Sequence, residues 1–149
     1  MRAVVQRVTS GAVSIGGQEV ARIGRGLVVL IGVAQNDTEN DASYIAGKIT
    51  GLRIFEDSDG KMNLSVQDAG GAILAISQFT LYGDARKGRR PSFTQAAAAD
   101  RAVDLYQKTV DMLKEYGLSV ATGVFQANML VEINNDGPVT LLLDSEKLF

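Results

Sequence analysis

The sequence predicts an α+β fold: a strongly bent, mainly antiparallel sheet or a partly closed β-barrel, with two flanking helices. Three observations carry this reading. Short apolar or alternating runs, separated by glycine-rich turns, occupy both ends of the chain. Two segments show apolar residues at helical spacing. The order is strands, helix, strand, helix, strands, which is not a strict βαβ alternation.

Arg2 to Val8 and Ala12 to Ile15 read as short strands separated by Thr9-Ser10-Gly11. Gly16-Gly17 is a strong hairpin signal ahead of a strand from Gln18 to Ile23. After the turn at Gly24-Arg25-Gly26, Leu27 to Val33 is continuously apolar and reads as a strand buried on both faces. Thr38 with Asp41 resembles a capping box, with Asp in place of the usual Glu. Ala42, Ile45, Ile49 and Leu52 then follow at helical spacing, predicting a helix to about Leu52. Arg53 to Phe55 reads as a short strand and Glu56 to Lys61 as a turn.

Ala72 to Thr80 is an apolar strand that becomes polar at its end. Thr94 to Tyr116 predicts the second helix, with Ala99, Ala102, Val103, Tyr106, Val110 and Leu113 as its apolar stripe. Gly117 suits the position just past its end. Leu118 to Thr122, Gln126 to Ile133 and Val139 to Leu143 read as closing strands, with Asn134 to Pro138 as the turn between the last two.

The chain has 149 residues, 46% hydrophobic and 21% charged, which suits a single globular domain over 1–149. It contains no Cys and no His. That removes disulfides, a thiol nucleophile, a Ser-His-Asp triad and an ordinary zinc site. Any catalysis must use hydroxyls, carboxylates, amines, backbone groups or the substrate itself. No metal and no cofactor are expected. The N-terminus lacks the apolar run of a signal peptide, and Leu27 to Val33 is too short to span a membrane. A soluble cytoplasmic protein with no membrane partner is the expectation. The net charge of −2 argues against a general polyanion-binding surface, so any nucleic-acid contact must be local.

Three motifs stand out. Ser77-Gln78-Phe79-Thr80-Leu81 closes a buried strand and brings hydroxyls, an amide and backbone N–H groups together. On spacing alone it is a candidate site or simply a polar strand end. No imidazole can activate Ser77 or Thr80, so hydrogen bonding and oxyanion stabilisation fit these residues better than nucleophilic attack. Asn134 to Thr140 reads on spacing as a hairpin turn, although Gly137-Pro138 is unusual in a tight hairpin. Arg86, Lys87, Arg89 and Arg90 cluster around the flexible Gly88, either as a solvated loop or as a phosphate-binding surface.

Together these residues resemble the D-aminoacyl-tRNA deacylase family along the whole chain. The resemblance rests on Met1-Arg2-Ala3-Val4-Val5-Gln6-Arg7-Val8, on Ser77 to Leu81, and on the Asn-x-Gly-Pro-x-Thr motif at 135–140. Arg90-Pro91-Ser92-Phe93 and Gly123 to Met129 add to it. The resemblance implies hydrolysis of the ester between a D-amino acid, or glycine, and tRNA. It implies a homodimer with sites at the subunit interface, and a cis Gly137-Pro138 inserted into the partner's pocket. The carbonyls of that pair would hold the substrate's α-ammonium, so that an L side chain would collide while a D side chain points to solvent. Glycyl-tRNA carrying the alanine anticodon would then be a second substrate. Catalysis would draw on Ser77, Gln78, Phe79 and Thr80, on the Phe79 N–H as oxyanion donor and on the terminal adenosine's 2′-hydroxyl. Met129 would line the adenosine pocket, and Arg86, Lys87, Arg89 and Arg90 would meet acceptor-stem phosphates. A non-catalytic RNA-binding module and a Thr80-dependent hydrolase of small D-amino-acid derivatives are the competing readings.

Overall fold

The computed structural model describes residues 1–149 as a six-stranded mixed sheet, nearly closed into a barrel, with two helices packed on its outside and a separate two-stranded sheet. β1 (Arg2–Ile15) is the spine. One of its edges pairs antiparallel with β3 (Gly26–Gly32) through Arg2 to Val8, then with β2 (Gln18–Ile23) through Gly11 to Ile15. Its other edge pairs antiparallel with β8 (Leu130–Asp144). β3 continues the sheet through parallel pairing with β6 (Ala72–Ser77), and β6 pairs parallel with β7 (Val120–Thr122). β2 lies against β6 and β7, which brings the two ends of the sheet together.

The pleat sorts the apolar residues into two cores. Val8, Val13, Ile23, Val28, Leu74 and Ile76 fill the barrel interior. Leu27, Val29, Ile31, Ile73 and Ala75 face the other way. There they meet Ile45 and Ile49 of α1 (Glu39–Gly51) and Val110 and Leu113 of α2 (Ala99–Glu115). β3 and β6 are therefore apolar at consecutive positions because both of their faces are covered. Gly16 and Gly17 turn β1 into β2 at φ 58° and 82°, a conformation that favours glycine. Thr38 starts α1, its N–H and hydroxyl both donating to the Asp41 carboxylate at 2.8 Å, so Asp serves in the capping box.

Several expectations are corrected. The two N-terminal strands form one bent strand, because Gly11 bends without interruption against Val28, where a Cβ would stand 2.6 Å from the valine methyl. The short strand expected at Arg53 to Phe55 is β4 (Phe55–Glu56), paired with β5 (Met62–Leu64) across the expected turn. β6 stops at Ser77, and Phe79–Tyr82 is a 3-10 turn. α2 begins at Ala99 rather than Thr94, because residues 95–97 pair with residues 33–35 instead: Gln35 N–H donates to Gln95 O at 3.1 Å, and Ala97 N–H to Val33 O at 2.9 Å. The helix buries Leu105 and Thr109 along with Tyr106, Val110 and Leu113, while Ala99 and Val103 are exposed.

The largest correction concerns the C-terminal strands. No hairpin divides them; β8 is continuous and stays beside β1 throughout. Val8 pairs with Asn135 and Gln6 with Thr140, so Asp136 to Val139 bulge out opposite the single residue Arg7. Asn135 closes the neck of this bulge, its Nδ2 donating to Arg7 O at 2.9 Å and Val139 O at 3.0 Å. Thr140 Oγ1 donates to Asn135 Oδ1 at 3.1 Å. At the tip, Gly137 has φ 115°, and the Gly137-Pro138 peptide bond is cis. Buried Arg7 lies beneath, donating to Ile54 O at 2.7 Å and paired with Asp136 at 3.2 Å.

Candidate active site

β3, β6 and β7 run parallel, and their C-terminal ends share one side of the sheet. A cavity of about 490 Å³ opens there. Crevices beyond the carboxyl ends of parallel strands are common ligand sites, because the loops that leave them diverge. Val33 follows β3, Ser77 ends β6, and the loop 123–129 follows β7. Ala97, Ala99 and Ala102, before and within the first turns of α2, close the cavity with small side chains that leave its volume open.

Ser77, Gln78 and Phe79 line the cavity. Gln78 N–H donates to Ile31 O at 2.7 Å, which pins the point where the chain leaves the sheet. The first bond of the 3-10 turn runs from Leu81 N–H to Gln78 O at 3.3 Å. The N–H groups of Phe79 and Thr80 precede it and have no partner inside the turn. Thr80 does not line the cavity; its Oγ1 accepts from Gln78 Nε2 at 2.5 Å and so orients that amide. Phe79 is 55% exposed, and its ring meets Phe93 edge-on at 5.2 Å.

The loop after β7 forms the opposite wall. Gly123 N–H donates to Ala75 O at 3.2 Å, and Val124 N–H contacts Met129 Sδ at 3.3 Å. A Cβ on Gly123 would stand 2.6 Å from that sulfur, so the glycine is what allows Met129 to fold into the wall. Gln126 adopts φ 62°, a left-handed conformation that side-chain-bearing residues occupy at a cost of about 1–3 kcal/mol, and it lines the cavity together with Phe125 and Asn128. The roles of Gln126 and Asn128 had no signal in spacing. The small residues at 97, 99 and 102 could have been noticed as a run that leaves space.

No charged residue lines the cavity. It offers hydroxyl, carboxamide and backbone groups against apolar and aromatic walls. No cluster of three or more Asp or Glu residues could hold a metal ion.

The other sequence candidates lie elsewhere. Gly137 and Pro138 are exposed at the tip of the β8 bulge and are not part of this protomer's cavity. Arg86, Lys87, Arg89 and Arg90 are exposed on a loop closed by reciprocal bonds between Asp84 and Ser92, at 2.7 and 2.9 Å. Arg86 pairs with Asp84 at 2.7 Å, and this contact holds the Asp84 carboxyl down at about 2. Lys87, Arg89 and Arg90 form no ion pair.

Fold and site define a near-closed mixed barrel whose strand-end cavity is polar but uncharged, which is a site for positioning a reactive neutral group. The family model described as D-Tyr-tRNA(Tyr) deacylase matches residues 4–144. The chain is 60% identical over its full length to the whole D-aminoacyl-tRNA deacylase of Desulfitobacterium hafniense, and 62% identical, again over 100% of both chains, to that of Desulforamulus reducens. Among solved structures it resembles a c-Myc DNA unwinding element binding protein, with TM-score 0.91 and 41% identity, covering 97% of this chain and 98% of that one. It shares the fold of a probable eukaryotic D-amino acid tRNA deacylase, with TM-score 0.81 and 20% identity, covering 95% of this chain and 97% of that one. The chain belongs to the D-aminoacyl-tRNA deacylase family and is a hydrolase of that family.

Proposed function

We propose that this chain hydrolyses the ester joining a D-amino acid, or glycine mischarged on alanine tRNA, to the terminal adenosine of tRNA. The observation that carries the reading is the uncharged cavity bearing Ser77, Gln78 and Phe79 in a chain without His or Cys. An aminoacyl ester is already activated, so little acid–base help is needed from the protein. The adenosine lies between Phe79 and Met129, and its 2′-hydroxyl stands beside the ester to assist attack by water. Well-placed reactants gain roughly 7–11 kcal/mol from orientation alone. The N–H groups at the start of the 79–82 turn receive the developing oxyanion, a contribution of about 3–4 kcal/mol for a well-placed donor.

Handedness is read by a second copy of the chain. β8 pairs on one edge only, and Val124, Leu130 and Leu142 are exposed beside or along it. A long unpaired edge with apolar side chains favours self-association. In the dimer the Gly137-Pro138 tip of one subunit enters the partner's cavity, and its main-chain carbonyls take the substrate's α-ammonium. An L side chain then collides with the tip, whereas a D side chain or a hydrogen does not. Lys87, Arg89 and Arg90 carry the acceptor-stem phosphates, with Arg86 contributing less because Asp84 already holds it. The protein works in the cytoplasm, where charged tRNA is found; no helix is long and apolar enough to cross a membrane.

The test is hydrolysis of matched D- and L-tyrosyl-tRNA by the purified protein. Release from the D-ester only is the expected outcome. Equal hydrolysis of both, or of neither, contradicts the reading, and tRNA binding without ester loss points to a non-catalytic RNA-binding protein.

A further inference from the structure

Beside the cavity lies a second, more polar groove of about 670 Å³ that the reading above does not use. The two share walls. Val33 faces the cavity and Ala34 and Gln35 the groove; Ala97 faces the cavity and Gln95 the groove; Phe79 faces the cavity and Tyr82 the groove. Two residues of extended chain, or three of a 3-10 turn, advance roughly 6–7 Å. The groove is thus displaced from the cavity by about one nucleotide step, toward the loop that carries Lys87, Arg89 and Arg90.

Its chemistry suits a base rather than a phosphate. Arg2 and Arg86 line it, but so do Asp84 and Glu146, so the formal charges cancel. Both arginines are already engaged: Arg86 with Asp84 at 2.7 Å, and Arg2 with Asp144 at 3.0 Å and Leu81 O at 3.1 Å. What remains open is a set of carboxamides. Asn36 and Gln95 are exposed and their side chains make no hydrogen bond within the protein. Gln35 Nε2 donates to Thr94 O at 2.6 Å, which leaves its oxygen free to accept. The groove is also built rather than loose: Asp37 Oδ2 takes the Ala34 N–H at 2.6 Å and fixes the turn that presents Gln35 and Asn36. The Arg2 guanidinium stands over the Tyr82 ring at 4.6 Å and 5.9 Å from the exposed Phe149 ring, with its own side chain a quarter exposed, a cation and aromatic edge against which a base can stack.

We propose that this groove is a second nucleotide subsite that takes the base preceding the terminal adenosine, stacked against Arg2 and read on its polar edge by Asn36 and Gln95. The inference rests on the deacylase reading, since the terminal adenosine must occupy the cavity. Every tRNA ends in cytidine-cytidine-adenosine, so the base received is a cytosine, whose edge carries both a donor and acceptors that a carboxamide can match.

The experiment compares two minimal substrates on the full-length protein: the D-tyrosyl ester of adenosine, and the D-tyrosyl ester of cytidylyl-(3′→5′)-adenosine. The dinucleotide ester is expected to show a kcat/KM about tenfold higher, carried by KM, the scale of one or two neutral hydrogen bonds. The N36A/Q95A double variant is expected to lose most of that gain, keeping only what stacking against Arg2 contributes. Equal kcat/KM for the two esters in the unmodified protein, or a double variant that retains the full dinucleotide advantage, overturns the subsite while leaving the deacylase reading intact. Failure to hydrolyse either ester, or D-tyrosyl-tRNA, overturns both.

Discussion

Replacing Gly137 with Ala probes the link between the β8 bulge and chiral selection. Gly137 sits at φ 115°, where an L side chain is strained whatever the space around it. Such a conformation costs roughly 1–3 kcal/mol for a residue with a Cβ. The added carbon would also stand 2.9 Å from Val139 Cγ2 and 3.0 Å from Arg7 Nη2. Buried Arg7 cannot easily yield, because it donates to Ile54 O at 2.7 Å. Strain and contacts together come to about 2–4 kcal/mol. The bulge faces solvent, so it relaxes to another shape instead of unfolding the barrel, and Tm falls by no more than about 4 °C. If the tip positions substrate, the same energy appears as a loss of kcat/KM on D-tyrosyl-tRNA of roughly 30- to 700-fold, with narrowed discrimination against the L-ester. Gly16→Ala is the control: its φ is 58° and nothing lies within 4 Å, so it carries backbone strain of about 1–2 kcal/mol in a remote turn and leaves selectivity alone. A Gly137→Ala protein with native kcat/KM and native enantiomer discrimination refutes the assignment of the bulge to chirality.

Other outcomes follow from the same geometry. Thr80→Ala removes the bond to Gln78 Nε2 but no cavity wall, so kcat is expected to fall by less than about tenfold; a dead variant with a trapped covalent intermediate in the parent would make Thr80 a nucleophile. Changing Lys87, Arg89 and Arg90 to Ala is expected to raise KM for tRNA and flatten its salt dependence by about 2–3 in log–log slope, with kcat retained, whereas Arg86→Ala alone changes both far less; an equal effect from Arg86 contradicts the Asp84 pairing. Asp84 is held below its ordinary value by Arg86, so the pair is complete at neutral pH and is lost as pH falls from about 4 through about 2; a carboxyl titration by NMR with its midpoint near 3.8 contradicts this. Tyr106 donates its hydroxyl to Ala75 O at 2.9 Å in the core, and burial pushes its ionisation up to about 12; Tyr106→Phe leaves that carbonyl its second donor, the Gly123 N–H, so it is expected to cost only about 0.5–1.5 kcal/mol by urea unfolding; no loss means the bond contributes nothing.

Where local chemistry decides the structure, the sequence was readable. Gly16-Gly17 marked its turn, Leu27 to Val33 its doubly covered strand (Gly26–Gly32 in the structure), and Thr38 with Asp41 its helix start, because each depends on neighbours a few residues away. The motif at Ser77 to Phe79 was legible as the place where an apolar strand turns polar, and it does line the cavity. Long-range pairing was not readable. Thr94 to Ala97 have good helical spacing, yet their backbone groups pair with Val33 to Gln35, sixty residues back in the chain. Asn134 to Pro138 looks like a hairpin, since a four-residue bulge opposite one residue has no local signature; only the register with β1 reveals it. Arg7 was visible as part of a motif, but its place under the bulge depends on β1, β8 and the turn at Ile54 coming together. The uncharged lining of the cavity likewise arises from segments distant in the chain.

The central claim is that the protein orients the ester and excludes the wrong hand, while the substrate's own 2′-hydroxyl assists the bond breaking. Single-turnover hydrolysis of D-tyrosyl-tRNA ending in 3′-linked 2′-deoxyadenosine tests it directly. The rate is expected to fall by about 10²-fold or more relative to the ribose form, the usual scale of a lost proton-transfer partner, with binding unchanged. A deoxy substrate cleaved at the same rate would mean that a group of the protein supplies that chemistry.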